Sequence, residues 1–208
     1  MNRLLQLILA LAAASIALPA AAQPKPEDAS YRAVNPPQPT EAGPGKVEVV
    51  EFFWYGCPHC YTLEPVLRDW ASKLPPDVTL RKVHVPFREV RHQQLYYTLE
   101  VMGKADELND KVFNAIHQER NPLNTPERMA DFVSKHGIDR QKFLDTYGSF
   151  TVRTRMSRAN QLADGYKIDG VPALGVNGKY LTAPSMAGSN LAALQVVDKL
   201  VARERKAN

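Results

Sequence analysis

The stretch at residues 47–60, VEVVEFFWYGCPHC, limits the possible folds more than any other part of this 208-residue chain. Residues 47–54 are apolar on both faces through their middle, as a strand covered from both sides must be. Glu51 is the exception, a carboxylate inside the apolar run. Gly56 breaks the strand. Cys57 then falls at a helix cap, and Pro58 takes the first helical position, where a fixed φ helps and no hydrogen bond is lost. Leu63, Leu67, Trp70 and Leu74 recur at intervals of three or four, so the spacing predicts a helix reaching Pro75-Pro76. Pro65 lies inside it and leaves the Tyr61 carbonyl without a donor, which predicts a kink. Residues 78–85 read as a second strand, and strand, helix and strand in this order imply a right-handed parallel crossover.

Residues 91–164 change to successive short helical patterns with no strand signal between them. Leu95, Leu99 and Met102 stop at Gly103; Leu108, Val112 and Ile116 follow; Thr125-Pro126-Glu127 opens a third pattern that Gly137 closes. Residues 139–147 and 150–163 complete the set. Strand character returns at 173–176, Asn177-Gly178 is a strong two-residue hairpin turn, and 179–181 pair back. An amphipathic helix at 189–203 follows. The expected organisation is an α/β framework in two parts, 46–90 and 165–208, interrupted by a helical insertion at 91–164. A Pro-, Gly- and Ala-rich extended arm at 23–45 precedes it and offers an edge strand near Tyr31 and Val34.

Residues 1–22 read as a secretory signal peptide: Arg3, an apolar run at 4–18, then Ala20-Ala21-Ala22 before a cut expected at Gln23. A membrane anchor is the rival reading, but the run falls short of the roughly 18 to 20 residues a span requires. A soluble product outside the cytoplasm is the expectation. The formal charge is +4 from 26 basic and 22 acidic residues, and loss of Arg3 leaves 25 against 22, or +3. So mild a surplus argues against nucleic acid as a partner; Arg140, Lys142, Arg153, Arg155 and Arg158 fall at helical spacing, as a solvated face would.

The compartment sharpens the meaning of Cys57 and Cys60, the only two cysteines. Secreted proteins use most cysteines as staples, which gain most by closing long loops, whereas these two enclose only Pro58 and His59. On one helical turn, only the first sulfur lies at the open end, where unpaired N–H groups and the dipole favour an anion. Cys57 is therefore expected to be an exposed nucleophile and Cys60 a shielded resolving thiol. His59 either adds a positive charge or hydrogen bond to the Cys57 thiolate or is an ordinary surface histidine. Glu51 is either a buried proton acceptor for Cys60 or a solvated edge residue, and Lys82 on the neighbouring strand is placed to pair with it. His84 shares the Lys82 face, as a satisfied core histidine or a participant. Trp54, Tyr55, Pro184, Met186 and Leu191 form either an apolar docking surface near Cys57 or part of the core. A metal centre is disfavoured, because His84, His92, His117 and His136 are scattered and supply no second half-site for zinc. Haem attachment needs C-x-x-C-H, and residue 61 is Tyr.

Three segments in order, VVEFFWYGCPHCY (49–61), KVHV (82–85) and GVPALGVNGKY (170–180), resemble the thioredoxin fold. The Pro-His dipeptide and the inserted helices narrow the resemblance to the DsbA family of periplasmic thiol:disulfide oxidoreductases, over nearly all of the chain from Val47 onward. The resemblance implies a thioredoxin fold with an inserted all-helical subdomain and no cofactor. It implies a Cys57–Cys60 disulfide donated, through a mixed disulfide at Cys57, to unfolded secreted proteins with free thiols. It also implies a monomer in the periplasm, reoxidised by a quinone-linked membrane partner of the DsbB type. Pro172 then follows a cis bond opposite the disulfide, with the Val171 backbone available to an extended substrate strand; a trans turn proline is the plainer alternative. The family is itself the standard illustration of a depressed cysteine pKa and an oxidising disulfide, so the expectation here is a direction only. Pro65 departs from the family and is closer to thioredoxin. A reductase or isomerase of the same fold remains an alternative, although the residues before Val47 are expected to be too few for an isomerase's dimerisation domain. A chaperone-like binder of unfolded chains with idle thiols is the non-enzymatic one.

Overall fold

The computed structural model describes residues 29–207, so the expected signal peptide lies outside the described residues. Five strands form one mixed sheet. β1 (Tyr31–Ala33), β2 (Val47–Phe53), β3 (Val78–His84), β4 (Ala173–Val176) and β5 (Tyr180–Thr182) lie in the order β1-β5-β4-β2-β3. Every residue of β2 is buried, as its two-sided apolar pattern requires. It runs parallel to β3, with Glu51 opposite Lys82 and Phe53 opposite His84, and antiparallel to β4. Asn177 and Gly178 both take positive φ, 50° and 71°, in the turn that joins β4 to β5. Such a turn matches the right-handed twist of its flanking strands. β1 adds the expected edge, antiparallel to β5.

α1 (Pro58–Ala71) begins at the motif, with Cys57 at its cap and Pro58 as its first residue. It ends earlier than the apolar spacing predicts. Lys73 and Leu74 donate to the carbonyls of Trp70 and Ala71, a tighter turn than the α-helix. Pro75 disfavours helical backbone at the residue before it, so the helix does not carry on through Leu74. Leu74 still packs on the core, from the turn instead of from the helix.

The region after β3 folds into α2 (Val90–Val101), α3 (Ala105–His117), α4 (Pro126–Ser134), α5 (Arg140–Tyr147) and α6 (Phe150–Gly165), with no strand among them. α7 (Pro184–Ala187) is a single turn, too short for periodicity to reveal. α8 (Asn190–Ala207) runs a turn beyond the expected end at Arg203. Among the described residues, no helix is long and apolar enough to cross a membrane.

Alternation along β2 divides the core. Val47 and Val49 pack with Leu63 and Leu67 of α1 and with Leu194 and Val197 of α8. Val50 and Phe52 face the opposite side, in the cluster that holds Leu95 and Leu99 of α2 and Leu162 of α6. Each such fully buried side chain contributes about 1.5–3 kcal/mol of transfer free energy. Phe53, at the end of the strand, sits in a nest of rings: Tyr55, His84 and Tyr96 have centroids 5.2, 4.9 and 5.2 Å from its own.

Candidate functional site

The end of β2, the start of α1 and the loop before β4 meet at the two sulfurs. Cys57 N–H donates to the Trp54 carbonyl at 2.9 Å, closing a tight turn that hands the strand to the helix. Cys57 has extended backbone, φ −88° and ψ 116°, and its carbonyl accepts the Tyr61 N–H at 3.0 Å. This is the geometry of a helix cap. Both cysteines are free thiols, so the chain is in its dithiol form.

Cys57 is less open than the sequence suggests. It is 7% exposed, against 0% for Cys60. The expectation of a freely exposed nucleophile is corrected to one with a narrow opening. The cover comes from the loop before β4, where Cys57 Sγ donates to the Val171 carbonyl at 3.4 Å. The Val171–Pro172 peptide bond is cis, as the family resemblance implies.

The two thiols are pushed in opposite directions. Cys57 is lowered to about 6, chiefly by the hydrogen bond from the Cys60 thiol, against the penalty of partial burial. The N–H groups of Cys60 and His59 add to this, and the charge of His59 comes last. The partner thiol thus outranks both the helix terminus and the histidine among the influences on Cys57. Cys60 is raised strongly, first by burial and then by the hydrogen bond and charge of Cys57, with a further push from Glu51. A thiolate at Cys57 and a thiol at Cys60 is the arrangement this environment favours.

Below the sulfurs lies a buried ionic cluster. Glu51 is 0% exposed, and Lys82 Nζ approaches its Oε2 at 3.3 Å. The contact is an ion pair without hydrogen-bond geometry, so both Glu51 oxygens lack a hydrogen-bond partner. Burial pushes the Glu51 carboxyl up to about 7, against the pull of Lys82. Lys82 binds more tightly to Glu64 of α1, at 2.6 and 2.5 Å to its two oxygens. Burial opposes the Lys82 charge, but Glu51 and Glu64 outweigh it and hold the pKa raised.

Glu64 is the member of this cluster that sequence reasoning missed. Its signal was present: Cys60 and Glu64 are four residues apart, one turn on the same face of α1. Glu51 and Lys82 come together across β2 and β3 as their alternation predicts, and Glu51 is buried, which excludes the solvated-edge alternative.

The apolar surface residues divide. Tyr55 is a correction: it is fully buried, packed at 5.0 Å from both His84 and Phe113. The rings that enclose it come from β3 and α3, far off in sequence. Trp54 is half-buried, stacked on His92 at 6.1 Å and tilted against the exposed Phe87. Pro184 and Met186 are half-buried on α7, and Leu191 on α8 is exposed. His84 is fully buried, and its Nε2 accepts the Tyr55 N–H at 3.1 Å. Burial first, and then His92, hold its pKa well below the usual range, so it is a neutral core histidine.

Two thiols at a helix start, facing a cis-proline loop at the end of a central strand, define a dithiol–disulfide oxidoreductase of the thioredoxin fold. Residues 90–195 match the family model for the DSBA-like thioredoxin domain. A curated protein of Azotobacter vinelandii, "Thiol:disulfide interchange protein DsbA", is 49% identical over 168 residues, 80% of this chain and 78% of that one. A protein of the same name from Pseudomonas aeruginosa is 44% identical over 179 residues, 85% and 84% of the two chains. The crystal structure of Pseudomonas aeruginosa DsbA matches with a TM-score of 0.80 at 43% identity, covering 86% of this chain and 93% of that one. The DsbA from Xylella fastidiosa matches with a TM-score of 0.79 at 29% identity, over 85% and 96%. The chain belongs to the DsbA family of thiol:disulfide interchange proteins.

Proposed function

We propose that the oxidised chain donates its Cys57–Cys60 disulfide to folding secreted proteins, with Cys57 as the sulfur that substrate attacks. The observation that supports this most is the opposite push on two thiols one turn apart. Where a thiolate at Cys57 is stabilised, the reduced pair is favoured over the disulfide, and the disulfide becomes a good electron acceptor.

In the forward direction a substrate thiolate attacks Cys57 Sγ. The substrate–Cys57 bond forms as the Cys57–Cys60 bond breaks, and the electron pair leaves on Cys60. Glu51 supports the proton traffic: poised near neutral pH and close enough to raise Cys60, it supplies a proton to the departing sulfur and is itself held by Lys82 and Glu64. The substrate's second thiolate then attacks its own sulfur in the mixed disulfide and releases Cys57 as a thiolate. Two electrons pass from the substrate dithiol to this chain, and a substrate disulfide remains. Val171, beside Cys57, is the backbone against which an extended substrate lies, with Pro172 closing that wall. Trp54, Pro184 and Met186 form the apolar rim, while Pro58 shapes the helix end and His59 adds its small share to the thiolate.

The two-part framework at 46–90 and 165–208 carries this chemistry, and the insertion at 91–164 closes over its rings. Family membership supports the remaining parts of the reading. The chain acts in the periplasm after loss of residues 1–22, works as a monomer without a cofactor, and is reoxidised by a quinone-linked membrane partner of the DsbB type.

The test is the equilibrium constant with glutathione, measured beside insulin reduction and the refolding of reduced and of scrambled ribonuclease. The reading expects a strongly oxidising pair, rapid oxidation of reduced ribonuclease and little isomerase activity. A potential near that of thioredoxin with fast insulin reduction would assign a reductase. Binding of unfolded chains with no thiol turnover would leave only a chaperone.

A further inference from the structure

Strand pairing stops before the active-site turn does. The register of β2 with β3 ends at Phe53 opposite His84, and that with β4 ends at Phe52 opposite Ala173. Tyr55 is nevertheless fully buried, so its N–H and C=O need partners other than water. Two imidazoles supply them. Tyr55 N–H donates to His84 Nε2 at 3.1 Å, and His117 Nε2 lies 2.7 Å from the Tyr55 carbonyl oxygen.

The chemistry of the partners fixes where the ring protons are. A carbonyl only accepts, so His117 carries a hydrogen on Nε2. A backbone N–H only donates, so His84 presents a bare Nε2 and carries its hydrogen on Nδ1. The two rings hold opposite tautomers around one residue.

They also come from different parts of the fold. His84 ends β3, and His117 is the last residue of α3. His117 lies flat on Tyr61, with centroids 4.8 Å apart and planes 8° apart, and Tyr61 in turn donates its N–H to the Cys57 carbonyl. The Tyr55 carbonyl belongs to the peptide unit entering Gly56, where a Cβ would collide with the Trp54 indole. The Cys57 N–H is tied to the Trp54 carbonyl at 2.9 Å, so both peptide groups of Tyr55 lie inside the closed turn that seats the sulfur.

We propose that His84 and His117 are positioning residues, clamping the two peptide groups of Tyr55 so that the Cys57 sulfur stays over the start of α1 and beside Val171. The inference deepens the reading of Cys57 as the attacked sulfur and rests on it. It gives the helical insertion a share in the chemistry, through the one ring at the end of α3.

Two measurements test it. In the reduced wild-type protein, long-range 1H–15N spectra should find His84 protonated on Nδ1 alone and His117 protonated on Nε2; a bare Nε2 on His117, or a protonated Nε2 on His84, overturns the clamp. His117→Phe keeps a ring over Tyr61 and removes the donor, whereas His117→Gln keeps a donor and removes the ring. The alkylation rate of Cys57 against pH should show about threefold less thiolate below the midpoint for His117→Phe, a midpoint displaced by about half a pH unit. His117→Gln should stay with the wild type. Equal midpoints for His117→Phe and the wild type, or equal displacement in both variants, would overturn the proposal. A wild-type midpoint in the ordinary thiol range would instead sink the disulfide-donor reading on which the clamp rests, so the two failures are told apart.

Discussion

Cys57 and Cys60 are the same chemical group one helical turn apart, yet the mouth of the site and its floor treat them oppositely. At the mouth, a thiol and two backbone N–H groups point at Cys57, and negative charge is welcome there. On the floor, Cys60 has lost water and faces Glu51, so charge is resisted. Hydrogen-bond donors and desolvation decide the outcome, while net charge nearby decides little. The floor holds two carboxylates and one ammonium, Glu51, Glu64 and Lys82, without making Cys60 any more acidic.

The largest test of this contrast is to remove one sulfur at a time. Cys57→Ser should abolish thiol exchange with substrate, whereas Cys60→Ser should still attack and accumulate mixed disulfides at Cys57, visible on non-reducing gels. Equal loss of adduct in both would mean that the two positions do not differ in role.

Lys82→Met attacks the floor alone. Two buried carboxylates lose their cation, which should cost about 3–5 kcal/mol in denaturant unfolding, with part recovered when Glu51→Gln is added. A cost under about 1 kcal/mol would show that the cluster is already neutral or wet.

The mouth can be read through pH. The folded pKa of Cys57 is depressed, so its contribution to the reduced form is present above the unfolded value and is lost as pH falls toward and through about 6. Glu51 has the opposite sign: its raised pKa favours the fold at low pH, and that contribution is lost as pH rises through about 7. Glu51 is present in both redox forms. The stability of the reduced form minus that of the oxidised form should therefore follow Cys57 below the free-thiol range, where the raised Cys60 stays protonated in both folded and unfolded chains, and should narrow from pH 8 to pH 6 by at most about 3 kcal/mol. Reduction should accordingly raise the melting temperature near neutral pH. A gap that ignores pH, or a melting temperature that falls on reduction, would mark the disulfide as a structural clip.

A smaller effect than these is expected at His59, which is exposed and whose charge ranks last among the influences on Cys57. His59→Ala should reduce the thiolate fraction at fixed pH by only about two- to fivefold, under 1 kcal/mol, as for other exposed charges. A larger loss than any backbone change at the turn produces would reverse the order of causes.

What could be read from the sequence was whatever rests on short spacing. Gly56, Cys57 and Pro58 write the end of a strand and the start of a helix in three adjacent residues, and Asn177-Gly178 writes a hairpin in two. Glu51 and Lys82 meet because both central strands alternate and run parallel in register. What could not be read depends on distant chain. Tyr55 reads equally as a surface or a core aromatic until Phe113 and His84 enclose it. Cys57 reads as open until Val171, from the far side of the insertion, comes to 3.4 Å. Spacing puts Glu64 on the Cys60 face of α1, but its cation cannot be read, because only the folded sheet brings Lys82 to it. α1 does not carry on through Leu74, where Pro75 disfavours helical backbone, and apolar periodicity does not register that.

The most direct measurement is the alkylation rate of Cys57 in the reduced protein from pH 4 to pH 10. A single transition centred near 6, with Cys60 unreactive across the range, is the predicted result. A transition in the ordinary range of free thiols, or equal reactivity at both cysteines, would contradict the claim that the mouth of this site stabilises a thiolate its floor rejects.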